Sequence, residues 1–244
     1  MFFFIIMSLI QAQHLRPNYN NNECGGPFCG MKEGFNLFRD LLLPFPIRNP
    51  PRNGDECPVI SPVPYLDLFR YTNYPWYVQM IGRNNQRQKD LYCLTTTYQR
   101  RLDGLIDISY RGRINNINGT VIRSNSLCAK QLNPRIGGQL GIQSCYLFYL
   151  GFDNLAQPYW ILDHDPYYNW IIIISGQPNI KTPNGRCSPN FRSPKGYIGS
   201  GIWLLTRNPV PFSGTIPHML SRLRLKGISP LNLTPVHQRG CQYI

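Results

Sequence analysis

Asp163, His164 and Asp165 stand side by side, the chain's one crowding of acid and base groups. A histidine flanked by carboxylates could move protons as a general base. Consecutive residues running from a strand into a turn alternate faces, however, so the three side chains do not converge on one substrate. A free thiol would be the other chemistry available, as a nucleophile. The cysteines, Cys24, Cys29, Cys57, Cys93, Cys128, Cys145, Cys187 and Cys241, form an even set, which in a secreted chain points to disulfides instead. No Cys-x2-Cys pair occurs, and His14, His164, His218 and His237 are scattered without a ligand spacing, so no metal site is expected. Neither a catalytic residue nor a cofactor is expected.

Charge limits the partners. The chain has 244 residues, with 25 Lys and Arg against 12 Asp and Glu, a net +13, and no acidic residue follows Asp165. Such a field attracts anionic glycans, acidic membrane surfaces or a fatty-acid carboxylate. Nucleic acid is not expected, because the N-terminus and cysteines point outside the cell. Residues 1–10 are almost wholly apolar and are followed by Gln11, Ala12 and Gln13, a pattern that predicts a secretory signal over 1–13. The sequons at Asn118 and Asn232 agree with glycosylation of a secreted protein. No run is long and apolar enough to span a bilayer as a helix.

The elements that must position any site begin after a Pro, Asn and Gly-rich extension, 14–64, which holds one apolar helical stretch at 34–43. Phe35, Phe38, Leu41 and Leu42 share one face of that stretch, suiting it to pack on the domain or to dock on another surface. Eight strands are then expected, at 76–81, 91–99, 105–113, 118–124, 138–149, 158–163, 170–175 and 201–206. Asp103-Gly104 and Asn118-Gly119 supply hairpin turns. A Pro, Asn and Gly-rich insertion over 177–200 interrupts the series. Thr215 is placed to cap a helix from Ile216 to Lys226, with Gly227 stopping it. Trp76 opens the first strand and Arg207 closes the last, so a guanidinium laid over an indole would seal one end of a closed sheet.

Three motifs in order carry a resemblance. They are Asn73-Tyr74-Pro75-Trp76-Tyr77-Val78, then Tyr159-Trp160-Ile161-Leu162-Asp163 with Asp165-Pro166-Tyr167-Tyr168, then Trp203-Leu204-Leu205-Thr206-Arg207-Asn208-Pro209. Together they resemble the lipocalin family, its apolipoprotein D and bacterial branch in particular. The family's first-strand glycine is Tyr74 here, and the two long additions resemble those of invertebrate extracellular lipocalin-related proteins. The resemblance implies an all-β fold, an eight-stranded antiparallel up-and-down barrel over 65–244 with a C-terminal helix. It also implies bridges Cys93–Cys241 and Cys57–Cys187, leaving Cys24 with Cys29 and Cys128 with Cys145 by proximity.

In such a barrel alternate side chains face the lumen. Counting from Trp76 places Val78 and Met80 inside, and counting from Arg207 places Leu205 and Trp203 there. With Cys93 turned outward, Leu94, Thr96 and Tyr98 point inward, and Tyr159 joins them from the sixth strand. That lining suits a small hydrophobic ligand such as a fatty acid, sterol, retinoid or lysolipid. The expected function is binding or transport of such a molecule by a secreted carrier. A matrix protein that works through its basic surface is the alternative, and in that case the same side chains simply fill a core.

Overall fold

The computed structural model describes residues 56–82, 90–189 and 201–243. The expected signal segment, the apolar stretch at 34–43 and the Cys24–Cys29 pair lie outside the described residues. Helix α1 (Leu68–Thr72) precedes strands β1 (Trp76–Gly82), β2 (Leu91–Arg100), β3 (Ile106–Ile114), β4 (Val121–Gln131) and β5 (Gln139–Ser144). Then come α2 (Cys145–Tyr149), β6 (Gln157–His164), β7 (Trp170–Ile174), a hairpin of β8 (Pro178–Lys181) and β9 (Cys187–Pro189), β10 (Ile202–Thr206), α3 (Thr215–Leu225) and β11 (Leu233–Pro235). Strands β1 to β7 pair antiparallel with their sequence neighbours, β7 pairs with β10, and β10 pairs with β1. The result is a closed eight-stranded antiparallel barrel with one helix against its wall, the architecture expected from the motifs.

Sequence pattern explains which wall the helix covers. Isoleucines fill β7 without alternation: Ile171 and Ile173 join the barrel core, while Ile172 and Ile174 pack with Leu204, Met219 and Leu223 under α3. Both faces of β7 are therefore buried, as a continuous apolar run requires. Arg222 of α3 ties the helix down through its Nε, 2.8 Å from the Asp163 carboxylate. Gly227, with φ +72°, supplies the left-handed stop after α3. The helix starts one residue earlier than expected: Gly214 is its N-cap, and Thr215 lies inside the first turn.

Two strands depart from their expected bounds by more than one residue. β4 begins at Val121, three residues later than expected because Asn118-Gly119 lies in the turn, and runs on to Gln131, beyond the polar Asn125-Ser126 pair where the apolar signal fades. The expected strand over 138–149 ends at Ser144 and continues as α2, whose Phe148 is buried with Leu105 and Cys128 while Tyr146 and Tyr149 face solvent. Cys128 and Cys145 are bonded, which fastens the start of α2 to β4.

The C-terminal tail completes the wall. β1 and β2 pair only at Trp76–Thr96 and Tyr77–Thr95, after which β2 bends at Cys93, whose φ is +55°. Into the gap goes β11, paired with Met80, Ile81 and Gly82, followed by His237, whose N–H donates to the Leu91 carbonyl at 3.0 Å. Cys93–Cys241 bonds the tail there, and Cys57–Cys187 holds the entering segment to the β8–β9 hairpin; these are the two bridges named from the resemblance.

Candidate functional site

One end of the barrel is sealed from the residues upward. Asp67 caps α1 by accepting from the Arg70 N–H at 3.1 Å, and its own N–H donates to the Tyr168 hydroxyl at 2.7 Å. That contact clamps α1 to the β6–β7 turn. The turn is built by Asp165, which accepts from the side chain of Asn169 at 2.8 Å and from the Trp170 N–H at 3.1 Å. Asp163 is engaged by Arg222, and His164 stacks on Tyr168 with its Nδ1 2.8 Å from the Asp165 carbonyl oxygen. The acid-His-acid trio is therefore a structural joint whose members point to different partners.

Below this joint, Arg207 lies over the Trp76 indole, its guanidinium carbon 3.6 Å from the ring centroid. The same guanidinium donates to the carbonyls of Arg70, Tyr71, Tyr74 and Pro75. Burial lowers its pKa to about 10, so it stays charged at neutral pH. The indole N–H in turn donates to the Tyr71 carbonyl at 2.8 Å. A cation and an aromatic face in such contact gain about 0.5–2 kcal/mol.

Inside the seal sits a cluster of hydroxyls. The Tyr98 and Tyr159 oxygens are 2.5 Å apart, joining β2 to β6 on the opposite side of the eight-stranded ring. Tyr71 packs against Tyr98 with ring centroids 4.6 Å apart. Its hydroxyl lies within hydrogen-bonding reach of those of Tyr98 and Tyr159, but aligns fully with no partner among the described residues. The Thr96 hydroxyl is likewise buried, near that of Tyr98 but without a fully aligned hydrogen bond among the described residues. Burial raises the Tyr98 pKa, and burial together with Tyr98 raises that of Tyr71 well above the phenolic norm. Tyr71 and Tyr98 are therefore neutral donors and acceptors at physiological pH.

Around the cluster the lumen is apolar. Val78, Trp203, Leu205 and Ile108 belong to the barrel core, and Trp203 lies 6.0 Å from Tyr159 between ring centroids. The structure brings Val78, Thr96, Tyr98, Tyr159, Trp203 and Leu205 into this interior, each at most 4% exposed. Met80 does not join them. Gln79 is an extra residue in β1: Val78 faces Leu205 and Met80 already faces Leu204, so the parity flips. Met80 consequently packs outside with the α3 cluster, and Ile81 takes its place in the lumen.

Tyr71 and the tail residue Val236 also enter the core and were missed from the sequence. Five residues of α1 are too few to show a period, and Asp67 as an N-cap was the available signal. Val236 carries no signal at all, since its place depends on the tail being threaded between two strands. Asn118 and Asn232, the sequon residues, are both exposed in loops.

No family model matches the chain, and no curated protein matches it. Among solved structures, lobster apocrustacyanin A1 is 13% identical over 77% of this chain and 93% of its own, with a TM-score of 0.44. The cockroach allergen Per a 4 is 16% identical over 75% and 96%, with a TM-score of 0.47. Japanin from Rhipicephalus appendiculatus, in a structure bound to cholesterol, is 13% identical over 68% and 93%, with a TM-score of 0.40. At this distance the closed strand order, not the likeness, establishes the fold.

Proposed function

We propose that the protein is a secreted, lipocalin-type carrier that takes one small hydrophobic molecule into the barrel and sets its polar end on the Tyr71–Thr96–Tyr98–Tyr159 hydroxyls. The observation that carries this reading is a cluster of buried hydroxyls in an otherwise apolar interior, in which Tyr71 Oη and Thr96 Oγ1 make no hydrogen bond of full geometry among the described residues. A buried hydroxyl left wholly unpaired costs about 1–3 kcal/mol, and a ligand's carboxyl or hydroxyl would recover the part that the poorly aligned neighbours leave. Burying ~300 Å² of apolar ligand surface adds roughly 7 kcal/mol before ordering costs, enough for micromolar affinity. Because the lining side chains are already packed, entry requires them to rotate, with Trp203 the largest to move.

Native mass spectrometry of the purified protein, with lipid extraction alongside, tests the reading. A co-purifying lipid, or saturable binding of an apolar fluorophore weakened several-fold by Thr96→Val, supports it. Repeated preparations with no lipid and no fluorophore binding overturn it.

A second reading is favoured by the filled interior itself. A barrel whose lining is at most 4% exposed at the six expected positions also suits a rigid scaffold that presents its basic outer surface to an anionic extracellular partner.

A further inference from the structure

Between β5 and β6 the chain passes through 145–152, an almost wholly apolar stretch for a segment outside the barrel. Phe148 turns inward onto Leu105 and Cys128, a cluster separate from the lumen. Tyr146, Tyr149 and Leu150, spaced i, i+3 and i+4, share the opposite face and are each at least half exposed. Leu102, fully exposed in the β2–β3 turn, flanks them: the residues on either side of it, Arg101 and Asp103, both contact Tyr149. Phe152, partly exposed, extends the patch.

This patch is held rigid. The Cys128–Cys145 bridge fixes the start of α2 to β4. Arg101 lies over the Tyr149 ring, 5.2 Å from its centroid, and bridges Asp103 and Asp107, each at 3.2 Å. Lys130 bonds Asp153 on the far side of α2. An apolar surface fixed in this way loses little conformational freedom when it is covered. Its charges also balance: among the described residues Arg100, Arg101 and Lys130 border it against Asp103, Asp107 and Asp153.

We infer that this face docks a second copy of the chain, α2 against α2 about a two-fold axis. A chain with net +13 repels itself wherever a basic face meets a basic face. A border that carries both signs can meet itself with cation against carboxylate, as an isologous contact requires. At these exposures the five apolar side chains offer roughly 600 Å², most of the ~800 Å² that each partner gives to a standard interface. An acidic protein or an acidic membrane is the poorer fit, because the balanced border has no excess of cations to hold it. The docking does not depend on what the barrel carries.

Sedimentation velocity of the full chain with its disulfides intact, from low to high micromolar concentration, tests the inference. The expected result is a reversible monomer–dimer equilibrium that tightens several-fold from physiological to high salt, as screening removes the repulsion between two basic bodies. Leu102→Ser with Leu150→Ser should weaken the dimer at least about 10-fold. Near-UV circular dichroism should stay that of the wild type, since both side chains face solvent. Phe212→Ser, at another highly exposed apolar residue, is the control and should dimerise as the wild type does. A dimer that loosens as salt rises, or one indifferent to the Leu102 and Leu150 pair, overturns the inference. So does a monomer at every concentration; if Phe35→Ser with Phe38→Ser then releases dimerisation, the chain's own 34–43 stretch is the occupant instead.

Discussion

Arg207 lies over the face of Trp76, 3.6 Å from the ring centroid, and joins the last barrel strand to the first. Its guanidinium also gathers four backbone carbonyls from the segment that enters β1, from Arg70, Tyr71, Tyr74 and Pro75. Arg207→Ala removes the cation-π contact and strands those acceptors, and should destabilise the fold by about 2–4 kcal/mol. Ligand affinity should stay within about twofold, since the residue lies outside the lumen; the twofold bound corresponds to less than about 0.5 kcal/mol. Chemical denaturation and fluorophore titration on the same variant separate the two, and a stable barrel with abolished binding would contradict the assignment.

Gln238 bridges the gap between β1 and β2: its side-chain amide donates to the Val78 carbonyl at 2.7 Å and the Leu94 carbonyl at 2.9 Å. Tyr243 in turn holds the Gln238 side-chain oxygen at 2.6 Å. Gln238→Leu should cost about 2 kcal/mol, because two buried carbonyls lose their donor. Cys93→Ser with Cys241→Ser should cost more, up to about 4–5 kcal/mol by the loop-entropy model. Amide hydrogen exchange at Val236 and His237 should rise in both variants while β6 and β7 remain protected.

The bulge at Gln79 separates two neighbours. Met80→Ala should loosen α3 and destabilise by about 2–4 kcal/mol with ligand binding unchanged. Ile81→Ala, on the other face, should cost a similar amount and alter binding. Reversed binding effects would mean that the register of β1 against β10 is wrong.

Alkali tests the hydroxyl cluster. Tyr71 and Tyr98 have pKa values raised above the ordinary phenolic value by burial, so the folded state holds their protons more tightly than the unfolded state does. The stability this contributes is fully present below about pH 10 and is lost as pH rises through the folded values. Tyr71→Phe with Tyr98→Phe should flatten that alkaline fall, read as denaturation midpoint against pH.

Much of this was legible in the sequence because it is local or periodic. Six of the eight barrel strands start within two residues after a Gly, Asn or Pro; the Trp76 and Arg207 ends mark where the sheet closes; Gly227 marks the helix stop. Parity reached Val78, Thr96, Tyr98, Trp203 and Leu205 because alternation persists wherever a strand is regular. It failed at Met80, where one inserted residue reversed every position beyond it, and bulges leave no compositional trace.

The sequence alone determined that this is a basic, cysteine-paired chain of short strands whose apolar spacing has to close into a barrel. Only the tertiary structure decided that Tyr98 and Tyr159 meet across the lumen, that Tyr71 rises into it from α1, and that the tail fills the gap beside β1. Each of these depends on register between segments far apart in the chain, and register is a property of paired strands, which no single stretch of sequence carries.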